Sequence, residues 1–358
     1  SDRERRHRQR HREELAETVL KIDRCYDGRG LVISQQGVED WLVEHGNLPG
    51  NIDLAHFNAI AGRDVWGPKR GSRGVDYLIL VGRTMPKPAD VEALAEALSG
   101  RAVKPIDGPF PVVQTTREIA GGLAKVAEGR RHPDPLCETI RAHICEAELI
   151  QALGRARGLN RTRENPIDAY VLTDVPIPLP VDLIVPATAL DPTATDRMLS
   201  AGGIAFETGA AAAQAYPGIW RTESAAKSAL QRSEKTDAFS NKYIKRRFAP
   251  HFQQVEFQQA GQGKRPKTAI VDTRQIADPA QHLRQLFGEL IAFRVIEAPT
   301  DVEAAAAEHD RQETASTRPT APADVPPAMP PVLPVQVPTA WITPPPILSK
   351  PPAGPSPT

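Results

Sequence analysis

Three arginines, Arg155, Arg157 and Arg161, stand where a helical run, EAELIQALG (146–154), breaks into glycine. A guanidinium is planar, permanently charged and able to donate two parallel hydrogen bonds, so it suits a phosphoryl group. In phosphoryl transfer, charge spreads over the oxygens of the moving group, and a well-placed cation stabilises that transition state. Gly154 frees the backbone to turn, and the preceding helix gives the arginines a rigid base. A second reading needs no ligand: cations at a helix C-terminus are favoured by the helix dipole.

Other candidates fall at the ends of expected strands. AHFNAIAGRD (55–64) runs from a strand into Gly62-Arg63-Asp64. Ser34 and Gln35 close one strand and His56 another, and ligands approach open α/β sheets at such ends. His56 serves equally well as a satisfied histidine there. KYIKRRF (242–248) sets Lys245, Arg246 and Arg247 beside Tyr243 and Phe248. Charge of this kind attracts backbone phosphate and aromatics stack on bases; an exposed helix with two core aromatics is the other reading.

Several classes of chemistry are excluded. No Gly-x-x-x-x-Gly-Lys-Ser/Thr occurs; GQGKRPKT (261–268) lacks the spacing. No paired acids follow an apolar strand to hold magnesium, and no Gly-x-Gly-x-x-Gly opens a helix as a dinucleotide site requires. Cys25, Cys137 and Cys145 have no zinc spacing, so a reduced, cytoplasmic protein is expected. No metal site and no membrane span are expected. With 44 basic and 44 acidic residues the chain is not a polycation, so any nucleic-acid contact must be local.

These residues need elements to position them. Six arginines in the first twelve residues form a basic arm that runs into a linker helix, 1–24, solvated or touching phosphate. From 25 to 185, GLVIS (30–34), IDLAHFNAI (52–60), VDYLILVG (75–82) and DAYVLTDVPIP (168–178) read as strands. Helices are expected at 36–46, 87–100 and 135–154. Strands alternating with helices imply an α/β fold around an open parallel sheet. Residues 101–135, rich in Pro, Gly and Arg, read as an insertion or loop, with Arg130, Arg131 and His132 as candidate phosphate contacts or mere decoration. Residues 186–297 read as an accessory α+β domain, mostly helical: either winged-helix-like or a helical brace. It has a strand at 268–273 and a last helix at 278–293. The segment 298–358 is proline-rich, with fifteen prolines in its last forty residues, too little apolar area to fold, and is expected to be a disordered tail.

QALGRAR (151–157) resembles motif VI of superfamily 2 helicases, of bacterial or mobile-element type, in which Gln-x-x-Gly-Arg is followed by a further arginine. AHFNAIAGRD (55–64) is similar to motif V, and GLVISQQGVEDWL (30–42) to the region around motif IV. These pieces stand in family order across 25–185. The resemblance implies the C-terminal, RecA-like lobe of a helicase: a P-loop NTPase-like fold without a P-loop. It implies that Arg155 and Arg157 are arginine fingers. Gly62, Asp64, Gln151 and Gly154 would lie against ATP. Ser34, Gln35, His56 and Arg63 would contact nucleic acid, with DNA as the expected form.

The chain departs from that pattern in two ways. The family's second arginine follows the first by three residues, whereas Arg157 follows by two, leaving Arg157 or Arg161 for that role, with Arg163 a further candidate. The first lobe, with its phosphate cradle, is not in this sequence, so ATP and Mg²⁺ would be held by a partner lobe in cis or trans, and this chain would not hydrolyse ATP alone. The first residue is not Met, and a processed start or a fragment is expected. A non-enzymatic nucleic-acid-binding or replication-accessory protein that keeps the lobe as a scaffold is the alternative.

Overall fold

The computed structural model describes residues 2–120, 122–243, 251–261 and 265–296. Helix α1 (Asp2–Asp23) leads into β1 (Gly30–Ser34), α2 (Gln36–His45), β2 (Ile52–His56), β3 (Tyr77–Val81) and α3 (Pro88–Ser99). A hairpin of β4 (Val112–Ile119) and β5 (Leu123–Arg130) follows, then α4 (Pro135–Gly154) and β6 (Asp168–Leu172). Four of these strands form one sheet in the order β2-β1-β3-β6, and every neighbouring pair is parallel. The fold is therefore α/β, as the alternating pattern implied.

Both faces of the sheet are covered. Leu31, Ile33, Leu78 and Leu80 join Cys145, Leu149 and Ala152 of α4 in one core. Val32, Tyr77 and Ile79 join Ala16, Val19 and Ile22 of α1 and Trp41 and Leu42 of α2 in another. Successive residues of a strand face opposite sides, so a strand buried on both must be apolar throughout. That is why β3 reads YLILV. Helix α4 starts sharply because Asp134 accepts bonds from the Leu136 and Cys137 amides, with Pro135 in the first turn.

The remaining elements are α5 (Ala194–Gly202), β7 (Ile204–Phe206), α6 (Gly209–Ala215), α7 (Glu223–Tyr243), β8 (Phe252–Gln259), β9 (Lys267–Asp272), α8 (Pro279–Phe287) and β10 (Leu290–Ile296). Their strands make a separate antiparallel sheet, β10-β8-β9-β7. Phe206, Phe257 and Phe287 meet at its centre, with ring centroids 5.2 to 6.1 Å apart. The end of α1 ties this sheet to the first. Arg24 pairs with Asp196 at 3.0 Å, Lys21 donates to the Asp191 carbonyl at 2.6 Å, and Arg274 reaches Asp23 at 3.3 Å.

Five expectations are corrected. The basic arm is helix from Asp2 onward; arginine is a good helix former, and Arg10 lies 3.7 Å from Glu14 one turn on. Residues 101–135 are not a plain loop, since they hold the β4–β5 hairpin. The strands expected to reach 60 and 178 stop at His56 and Leu172, the first just before Asn58 turns left-handed (φ 67°). The last helix stops at Phe287 rather than 293. Gly288 takes φ 82°, a conformation only glycine adopts freely, and 290–296 continues as an edge strand on β8. The spine of the 186–297 region is its four-stranded sheet, larger than the small β element expected. The proline-rich segment 298–358 and the basic residues Lys245, Arg246 and Arg247 lie outside the described residues.

Candidate functional site

The helix end and the loop after β2 come together. Leu149 and Ala152 anchor the last turns of α4 in the sheet core, and Arg155 follows with its amide bonded to the Ala152 carbonyl. Arg157 then adopts left-handed backbone angles (φ 53°, ψ 50°), which cost a non-glycine residue about 1–3 kcal/mol. Its side chain explains why the conformation persists. The Arg157 Nε donates to Asp64 Oδ1 at 2.9 Å, and its stem lies over Gly67, where a Cβ would come within 2.4 Å of Arg157 Cγ. The Arg157 guanidinium beside Asp64 holds that carboxyl below the usual carboxylate range.

Arg63 lies with its guanidinium 4.9 Å from the ring centre of the buried Trp66, a cation–π arrangement. Arg155 Nη1 reaches the Arg63 carbonyl at 3.5 Å, and Arg155 Nε is buried with no hydrogen-bond partner among the described residues. Gln151 is exposed one turn before Arg155. Gly62 turns the loop at φ 73°, as a glycine before this bend should. The structure thus brings Arg63, Asp64, Arg155 and Arg157 together at one junction of two loops, with Gly62 in the first loop and Gln151 and Gly154 in the last turn of α4.

Arg161 does something else. Its guanidinium donates to the carbonyls of Val75 at 2.7 Å, Ala156 at 3.1 Å and Arg73 at 3.0 Å. It staples the loop after α4 to the entry of β3, so its expected role as an alternative second finger is corrected. His132 is also corrected as a phosphate contact. It is buried against Phe110, and its Nε2 lies 3.2 Å from Glu92 Oε1.

A second feature lies at the carboxyl ends of β1, β2 and β3. Connections leave β1 toward β2 on one side and β3 lies on the other, and such a switch point opens a crevice beyond the strands. A cleft of about 420 Å³ occupies it, lined by Gln35, His56, Asn58, Arg83, Met85 and Ile144 among others. Gln35 Nε2 donates to the Arg83 carbonyl at 2.8 Å. His56 Nδ1 is in contact with Glu39, which orients the ring. Ser34 is 1% exposed and its hydroxyl turns to the Gln35 carbonyl, so it does not face this cleft as expected of a nucleic-acid contact.

Sequence reasoning missed Glu39 and Arg83. Glu39 lies on α2, and only the β1–β2 pairing carries His56 to it. Arg83 forms an ion pair with Asp174, beyond the next strand of the sheet. Its only signal was a charged residue directly after an apolar strand, the position from which open sheets reach ligands. Among the described residues no group of three or more His, Cys, Asp or Glu is placed to hold a metal ion, and no helix is long and apolar enough to cross a membrane. Comparison with protein-family models, curated proteins and solved structures finds no match.

Proposed function

We propose that the chain acts as the second, RecA-like lobe of an ATP-dependent nucleic-acid helicase or translocase. In this reading it supplies arginines to ATP bound by another lobe, and strand-end contacts to nucleic acid. The observation that carries the reading is the junction of the Gly62-Arg63-Asp64 loop with the Gly154-Arg155-Ala156-Arg157 turn. The parallel sheet with helices on both faces is compatible with such a lobe.

The residues fit a phosphoryl ligand at Arg155. A buried guanidinium Nε without a partner is costly unless something occupies it, and an anion brought by a second lobe would do so. Bound ATP with Mg²⁺ would supply the phosphoanhydride that breaks. Arg155 would stabilise the charge that develops on the transferred group, without giving or taking a proton. Arg157, tied to Asp64, would hold Arg155 in place by fixing the turn between them. Metal ligands would come from the other lobe, since the described residues offer no carboxylate cluster.

The test is ATP turnover, with and without single-stranded DNA, by this chain alone and by this chain joined or mixed with the lobe that carries a phosphate cradle. Turnover only in the two-lobe form supports the reading; none in either removes it. The alternative, a non-enzymatic nucleic-acid-binding or replication-accessory scaffold, draws on the missing Gly-x-x-x-x-Gly-Lys-Ser/Thr and on Arg157 being already paired. It predicts binding of DNA with no turnover in any form.

A further inference from the structure

The β4–β5 hairpin covers a second cleft of about 240 Å³, between itself, α4 and the segment after β6. Five arginines line it: Arg83, Arg117, Arg130, Arg131 and Arg141. The hairpin is fixed there at both ends. The Ala120 amide donates to the Val181 carbonyl at 2.8 Å and the Val181 amide to the Glu118 carbonyl at 3.0 Å, while the buried Gly129 passes close to Pro176.

The five arginines divide by partner. Arg141 is 2% exposed and fully engaged, bonded twice to Glu138 at 2.8 Å and once to Glu146 at 2.5 Å. Arg83 pairs with Asp174. Arg131 is over half exposed, and its nearest carboxylate oxygen is 3.9 Å away on Glu138. Arg117 and Arg130 make no ion pair among the described residues, and Arg117 Nε is buried with no hydrogen-bond partner. The lining carboxylates are Glu128, Glu146 and Asp174, and two of these already face Arg141 and Arg83. The cleft therefore keeps two guanidinium groups outside any ion pair among the described residues, the exposed Arg130 and Arg117 with its unmet buried Nε, and such groups suit a polyoxyanion.

This cleft shares Arg83 and Met85 with the strand-end cleft, so the two adjoin at the carboxyl edge of the sheet. Their linings differ. The hairpin end offers guanidinium groups; the strand end offers the side-chain amides of Gln35, Gln36 and Asn58 beside Met85 and Ile144. Guanidinium groups suit phosphates, whereas amides over an apolar floor suit base edges and faces. Two adjoining clefts offer more room than one phosphoryl group needs.

We propose that the hairpin cleft holds the phosphodiester backbone of a nucleic-acid strand through Arg117 and Arg130, with the bases directed to the strand-end cleft. This deepens the reading above and rests on it for the nature of the ligand. The shared chemistry, a phosphoryl oxyanion, could also come from a free anion, and the arms of the test separate the two.

The test is fluorescence anisotropy of a labelled oligothymidylate on the intact chain across a salt series, with Arg117→Gln/Arg130→Gln and Arg117→Lys/Arg130→Lys. Each lost phosphate contact on a single strand should lower the slope of log affinity against log salt by about 0.7. The expected result is a flatter slope and weaker binding in the glutamine pair, a retained slope in the lysine pair, and unchanged circular dichroism in both. Inorganic pyrophosphate should displace the oligonucleotide only at concentrations far above those of the oligonucleotide itself. Binding with an unchanged slope in the glutamine pair overturns this proposal and leaves the lobe assignment standing. Displacement by pyrophosphate at concentrations equal to the oligonucleotide overturns the polymer in favour of a free anion. No oligonucleotide binding by the intact chain overturns this proposal, while the ATP-turnover test of the lobe stands apart from it.

Discussion

Arg157 and Asp64, 93 positions apart in the chain, meet at 2.9 Å and hold the loop after the second strand against the turn that follows α4. Both side chains are about half exposed, so the pair adds little to global stability. Its consequence is local: it fixes the conformation of a strained turn that carries Arg155.

The latch should therefore open in acid. Arg157 lowers the Asp64 carboxyl below its ordinary range, so the latch is present above the unfolded carboxyl value and is lost as pH falls through the depressed folded one. Hydrogen exchange of the 62–67 amides, taken relative to the unfolded chain at the same pH, should be slow at neutral pH and quicken in acid. Asp64→Asn should show the fast exchange already at neutral pH. Identical exchange in the variant and the parent at neutral pH would dismiss the latch.

Arg155→Ala should abolish turnover in the two-lobe protein, since an arginine finger contributes about 10³–10⁵-fold to the rate of phosphoryl transfer. Oligonucleotide affinity should stay within about twofold, because no contact to the two clefts is lost. Turnover within tenfold of the parent would remove Arg155 from the catalytic assignment.

Arg161 and Arg163 lie two residues apart and should behave differently. Arg161 satisfies carbonyls at Val75, Ala156 and Arg73, whereas Arg163 is exposed. Removing donors from partly buried carbonyls costs about 1–3 kcal/mol. Arg161→Met should lower the urea midpoint accordingly, and Arg163→Met should leave it unchanged within error. Equal effects would mean that the staple carries no load.

How far the sequence revealed this molecule depends on what signal each part leaves. The parallel strands were visible because burial on both faces forces apolar runs such as YLILV. Helix α4 was visible because Asp134 and Pro135 mark its start and its apolar residues recur at helical spacing. The hairpin was hidden because its strands expose one polar face and half-bury the other, so neither shows a clean apolar stripe. The strand β10 was hidden because LFGELIAF carries apolar residues on both sides of Gly288, and the backbone angle at that glycine separates helix from strand. The contact of Arg157 with Asp64 left no mark in the sequence; the resemblance set both residues toward ATP and not toward each other. Arg161 was misassigned because its partners are peptide carbonyls, which every residue possesses and no sequence marks. Glu39 with His56, and Arg83 with Asp174, depend on strand order, which pairing and not spacing decides.

Cys145 offers a chemical check on the core beneath the arginines. Burial pushes its thiol up to about 12, and Cys137 is shifted upward as well, while Cys25 is only partly buried. A thiol must ionise to react, so alkylation at pH 8 should modify Cys25 first and leave Cys137 and Cys145 intact until unfolding. A folded value above the unfolded one makes this contribution complete below the unfolded value near 9 and erodes it as pH rises toward 12. Rapid labelling of Cys145 in the folded chain would show that α4 does not stay docked on the sheet.

The joint between the two sheets should be the costliest place to remove a charge. Asp196 is 1% exposed and faces Arg24 at 3.0 Å and Lys21 at 3.8 Å, both nearly as buried. Its other oxygen accepts from the Thr193 amide and hydroxyl, closing the first turn of α5. Asp196→Ala removes the carboxylate, leaves two buried cations facing each other and breaks a helix cap. Losing one partner of a buried ion pair costs about 3–5 kcal/mol, and the lost cap adds about 1 kcal/mol. Urea denaturation of the full chain should register that whole loss, whereas Arg197→Ala, exposed one residue further on, should shift stability by less than about 0.5 kcal/mol. If the two variants unfold at the same urea concentration, the buried ionic joint does not hold the sheets together, and their attachment rests on apolar contacts alone.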